Sequence, residues 1–139
     1  NQKWCADGHI YIEASIKNTT EINKIIVNIE IKDGWHLNEI SNENDKTMPI
    51  GIEIESPTDL RIDNVNSPEP VSEKLGFQEL PVNTYSGSIQ LEIDIGADQL
   101  KRVNPLDRVI KLRLKLQACN DEKCLAVESV PLCLFVGLK

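Results

Sequence analysis

The chain has 139 residues, a net charge of −7 and a pI near 4.8. That length suits one domain with a real core, spanning 1–139, and is short for two. No Lys/Arg cluster stands free of interleaved acid, which argues against a nucleic-acid or anionic-membrane surface.

Aromatic residues are 4% of the chain while Ile, Val and Leu are plentiful, so the core is expected to be aliphatic and β-branched, which favours strands. Residues 1–8 read as a short lead-in containing Trp4 and Cys5. Ile10, Ile12, Ala14 and Ile16 then alternate with Tyr11, Glu13, Ser15 and Lys17, the signature of a strand with one buried face. After a turn at 18–21, Ile25, Val27, Ile29 and Ile31 form the next inward row, broken by Asp33-Gly34 before Trp35. Residues 38–49 are polar and Asn-rich, a loop. Ile50, Ile52 and Ile54 alternate again, and Leu60 and Ile62 suggest a further short strand. From Asn64 to Thr84 the chain carries Pro68, Pro70 and Pro81, which argues against central strands and marks a candidate functional loop. Alternation resumes at Ile89, Leu91, Ile93 and Ile95, then at Ile110, Leu112, Leu114, Leu116 and Ala118, and a last strand covers 129–136. Seven to nine short antiparallel strands with polar turns and no stretch of helical period predict an all-β sandwich.

The chemistry concentrates at Gln117-Ala-Cys-Asn-Asp-Glu-Lys-Cys124. Lys111, Arg113, Lys115, Gln117 and Cys119 occupy the polar phase of the strand, so Cys119 is expected to leave it on the exposed side. Asn120 and Asp121 are turn-formers, and a hairpin closing over these residues brings Cys119 and Cys124 within bonding reach. Such a bond can be a structural staple or a redox pair. A ring this small stabilises by only about 2 kcal/mol in the chain-entropy model, which favours chemistry over stability as its purpose. Accessible thiols in a tight loop are also those that undergo exchange.

The other cysteines, Cys5 and Cys133, lie near the two ends of the chain. With the hairpin pair assigned, they are expected to bond to each other as a structural disulfide, the alternative being two unpaired buried thiols. Four cysteines in an acidic domain favour export, since a cytosolic thiol pool would hold them reduced. No apolar run approaches a membrane span and no signal peptide precedes the first strand, which leaves a mature or trimmed exported domain or a cytosolic protein. Cysteine and histidine spacings do not suit zinc, so no metal site is expected. Trp35 reads as a structural core residue, and His36, alternating away from it, as facing solvent or a loop. Lys123 favours a thiolate at Cys124 while Asp121 and Glu122 oppose it.

The Gln-Ala-Cys-x4-Cys element, together with the upstream Asp33-Gly-Trp-His-Leu-Asn38, resembles the N-terminal periplasmic domain of the thiol:disulfide interchange protein DsbD and its single-domain relatives, over roughly residues 10–134. The resemblance implies an immunoglobulin-like sandwich. It also implies a protein-disulfide reductase activity in which Cys124 forms the mixed disulfide with a partner and Cys119 resolves it, without any organic cofactor. Electrons would come from a membrane-embedded donor domain and pass to exported thiol-disulfide proteins such as isomerases and thioredoxin-like domains, in the periplasm or another exported compartment. A monomer is expected. Relatives shield the disulfide with an aromatic cap loop, and the corresponding region here is Ser72 to Phe77, making Leu75, Gly76 and Phe77 candidate cap and partner-binding residues. Two prolines that often follow the second cysteine are replaced here by Leu125-Ala126-Val127-Glu128. The rival reading is a non-catalytic immunoglobulin-like binding module with purely structural disulfides. A carrier domain of lipoprotein type is a third.

Overall fold

Alternating aliphatic residues build every long strand, as period-two patterning requires when one sheet face is buried. The computed structural model describes residues 2–18, 22–39, 49–56, 60–73, 81–96 and 109–135. Along them run β1 (Gln2–Cys5), β2 (Ile10–Asn18), β3 (Ile22–Ile31), β4 (His36–Asn38), β5 (Ile50–Ser56), β6 (Asn64–Asn66), β7 (Val71–Glu73), β8 (Val82–Tyr85), β9 (Ser88–Gly96), β10 (Val109–Leu116), β11 (Ala118–Cys119) and β12 (Glu128–Phe135). No helix occurs among the described residues. The strands form three sheets, ordered β1-β2-β3-β9-β6, β12-β10-β5 and β11-β4-β8-β7, and all their pairings are antiparallel.

The first two sheets supply most of the core. Ile10, Ile12, Ile25, Val27, Ile29, Leu91, Ile93 and Ile95 of one pack in a single cluster with Ile110, Leu112, Leu114, Leu116, Leu132 and Leu134 of the other. These inward rows are the expected ones, and the all-β, immunoglobulin-like architecture stands as expected.

Differences are local. The lead-in segment forms β1, paired with β2 from Gln2↔Glu13 to Cys5↔Ile10. Leu60 and Ile62 form no strand, although Leu60 is buried in the core. The proline-bearing stretch contains β6 and β7, each at the edge of its sheet, but also most of β8, which lies between β4 and β7 and is central, against the expectation. Pro68, Pro70 and Pro81 themselves fall outside these strands, in keeping with the exclusion of proline from central ladders. Pro131 obeys the same rule on β12, an edge strand facing Arg113 of β10.

Candidate redox site

The third sheet holds the cysteine pair, and a break in one strand puts it there. β10 ends at Leu116, Gln117 leaves the ladder, and β11 joins β4 instead, with Ala118 opposite Leu37 and Cys119 opposite His36. The main chain stays bound across the switch, since Asn38 N–H donates to the Gln117 carbonyl at 2.8 Å. Such a change of sheet alters which side chains are covered, and it explains why Cys119 does not continue the exposed phase of β10. Cys119 is 0% exposed, not solvent-facing as its alternation predicts, while Cys124 is half-buried.

The two cysteines are bonded, with their Cα atoms 4.0 Å apart, and lie directly opposite one another in an antiparallel bridge. The loop between them is tied by its own polar groups. Asn120 Oδ1 accepts from the backbone N–H groups of Glu122 and Lys123, each at 2.8 Å, and Asn120 N–H donates to the Lys123 carbonyl at 2.9 Å. That is the Asx-type turn for which asparagine is suited. Below it, Leu125 N–H donates to the Ala118 carbonyl at 2.8 Å and the Gln117 amide to the Leu125 carbonyl at 3.1 Å. Asp121, Glu122 and Lys123 are exposed at the tip.

The upstream Gly-Trp-His segment is the neighbour of this hairpin. Gly34, at φ 84°, closes the turn in which Trp35 N–H reaches the Lys32 carbonyl at 3.0 Å, a conformation that favours glycine. The turn sends β4 alongside β11. His36 is therefore buried, at 6% exposure, and does not face solvent as expected; the rest of β4, Leu37 and Asn38, is buried with it. Trp35 is half-buried at the core margin and stacks on His9, ring centroids 4.1 Å apart. The register between His36 and Cys119 was not legible in the sequence, because some eighty residues separate them; the only signal was that both belong to motifs of one family.

The expected bond between Cys5 and Cys133 is not formed; both are thiols, Cys5 buried and Cys133 exposed. β1 does meet β12, but at the opposite end: Ala6 N–H donates to Glu128 Oε2 at 3.1 Å. Cys133 lies five positions further along β12, roughly 17 Å at strand rise. It also points outward with Pro131 and Phe135, while Val130, Leu132 and Leu134 point into the core. Burial pushes the Cys5 thiol up to about 12, aided by the charge of Glu128 and a hydrogen bond to it. Leu75, Gly76 and Phe77 lie outside the described residues.

Three comparisons bear on this arrangement. The N-terminal family of thiol:disulfide interchange protein DsbD matches residues 7–130. No curated protein sequence matches the chain. Among solved structures, the N-terminal periplasmic domain of ScsB from Proteus mirabilis is 15% identical with a TM-score of 0.65, covering 96% of this chain and 49% of its own. This chain thus spans about half the length of that protein chain. The reduced N-terminal domain of Neisseria meningitidis DsbD is 13% identical with a TM-score of 0.57, covering 90% of this chain and 85% of its own. The yeast GGA1 GAE domain shares the fold at 14% identity, a TM-score of 0.51 and 98% coverage of both chains. At such identities the solved structures speak for the fold, whereas the family match takes in the sheet, the Gly-Trp-His segment and both hairpin cysteines, and by it the chain belongs to the DsbD N-terminal domain family.

Proposed function

We propose that this chain is a thiol:disulfide exchange module working in the periplasm or another exported compartment, with Cys119 and Cys124 as its redox pair. The observation that carries the reading is the unequal burial of the two bonded sulfurs' residues: Cys119 is sealed and Cys124 is half-buried. Half-buried Cys124 is the more open of the two to a partner sulfur and buried Cys119 the less, in keeping with the roles implied by the family. In the donating direction the Cys124 thiolate attacks a partner disulfide and releases one partner thiolate. Cys119 then attacks Cys124, the intramolecular bond forms and the second partner thiolate leaves. Two electrons pass to the partner, and the protons shed by the two cysteines balance those it gains.

The partners that fit are exported thiol-disulfide proteins such as isomerases and thioredoxin-like domains, with a membrane-embedded donor recharging the pair. The periplasmic setting of the ScsB domain and the family match support that assignment. The cap role of Leu75, Gly76 and Phe77 belongs to the same proposal, supported by the family pattern; Phe77→Ala should then speed attack on the disulfide by small thiols.

A redox titration with alkylation and mass spectrometry tests the reading. A midpoint above about −300 mV is expected, since structural disulfides lie below that value. Reduced Cys119→Ala should accumulate a mixed disulfide with oxidised glutathione through Cys124. A midpoint far below that range, or no adduct at Cys124, would assign the bond to structure alone.

A further inference from the structure

The register around the hairpin sets three side chains in one row. Cys124 lies opposite Cys119 in one bridge, and Cys119 lies opposite His36 in the next. Directly opposed residues of antiparallel strands project to the same face with Cβ atoms about 4.5–5.5 Å apart. The His36 imidazole therefore flanks Cys119 on the side away from Cys124, and both His36 and Cys119 are buried, at 6% and 0% exposure.

We infer that His36 is the proton carrier for Cys119 during exchange, an inference that rests on the redox reading above. Cys119 must act as a thiolate to resolve the mixed disulfide, yet burial disfavours a thiolate. An imidazole is the side chain whose ordinary titration lies nearest neutral pH. In the donating direction neutral His36 takes the proton of the Cys119 thiol. The thiolate attacks the Cys124 sulfur, the Cys124–partner bond breaks, and the partner sulfur leaves with the electron pair and is protonated from solvent. His36 then returns its proton to solvent. In the accepting direction a donor thiolate attacks Cys124, the Cys119–Cys124 bond breaks, and His36 protonates the departing Cys119 sulfur. No further oxidant or reductant is required.

Among the described residues, the other titratable groups on the elements around β4 are engaged elsewhere or exposed. Tyr85 of β8 donates its hydroxyl to the Pro68 carbonyl at 2.7 Å, and Glu39 accepts from the Asn83 amide at 3.4 Å. Asp121, Glu122 and Lys123 sit at the exposed hairpin tip, and His9 stacks on Trp35. Among the described residues, Cys119 is thus the titratable residue in direct register with His36.

Oxidised glutathione serves as the probe. In His36→Gln, formation of the Cys124–glutathione adduct should stay within about twofold of the parent, while its resolution by Cys119 slows by about a hundredfold at pH 7, the lower end of general-base effects. The slow step should accelerate with rising pH. Resolution as fast as in the parent, or equal slowing of both steps, overturns the inference, the second pattern being that of a structural role. A second measurement does not depend on exchange or on the variant's folding. In Cys124→Ala, the Cβ carbon resonance of Cys119 and the ring resonances of His36 should titrate together. Independent titrations overturn the pairing. A parent protein that takes up no glutathione refutes the redox reading, and the resonance titration still decides His36.

Discussion

Asn120→Ala tests how the hairpin loads the disulfide. The Asn120 carboxamide oxygen accepts two backbone N–H groups, from Glu122 and Lys123, both at 2.8 Å. A hydrogen bond of this kind contributes about 0.5–1.5 kcal/mol net, and a half-exposed setting puts each near the lower part of that range. Removing both therefore costs about 1–2 kcal/mol in the closed ring. The reduced hairpin is free to relax and loses less, so the cost falls mainly on the oxidised form. For a two-electron couple 1.4 kcal/mol corresponds to about 30 mV, which places the midpoint of Asn120→Ala about 20–40 mV less negative than the parent. Asn120→Asp keeps an acceptor oxygen and should restore most of the difference. The assay is equilibration in glutathione or dithiothreitol buffers, acid quenching, alkylation and mass spectrometry of the 119–124 peptide. A shift below about 10 mV in Asn120→Ala, or an equal shift in Asn120→Asp, would mean that the turn persists unchanged without the bond and that the argument from Asn120 fails.

Native-state alkylation at pH 8 should modify exposed Cys133 quickly and buried Cys5 slowly, and intact mass should show no cross-link between them; a Cys5–Cys133 peptide would restore the bond absent here. Cys133→Ala should leave the melting temperature within about two degrees of the parent, as an exposed site predicts. Because the folded Cys5 thiol titrates at about 12 against an ordinary 9.0, its contribution to stability is complete below pH 9 and is lost as pH rises from 9 through 12. Glu128→Gln should bring that titration partway down, with burial, the larger cause, keeping it above 9.0; chemical denaturation across this pH window reads both effects. Leu114→Ala, at a fully buried position in the middle of β10, should cost about 2–5 kcal/mol in urea unfolding, and a loss under about 1 kcal/mol would show that the two main sheets do not share one core there.

The aliphatic periodicity determined the long strands by itself, because a side-chain period of two has one consistent burial when a sheet packs on one face. β2, β3, β9, β10 and β12 bury the residues that their alternation selects, Ile16 near the end of β2 and Ile89 near the start of β9 only in part. The turn at Asn120 and the closure of the Cys119–Cys124 ring were equally local, resting on residues within a few positions of each other. Short strands are different. β4, β6, β7 and β11 contain two or three residues each, too few for a period to register, and they exist because a distant partner offers them a ladder. Cys119 shows the consequence most clearly. Its phase along β10 predicts exposure, yet the break at Gln117 hands it to another sheet, where it lies between His36 and Cys124 and is buried. His36 is buried for the same reason. Cys5 and Cys133 show the converse: composition leaves them as the remaining pair, but β1 meets β12 at Glu128, and outward alternation points Cys133 away from the core that holds Cys5. Local sequence thus set the strands and the closed ring, whereas only the long-range pairing of sheets decided which of the two cysteines is buried, which is half-buried, and which residue stands opposite them.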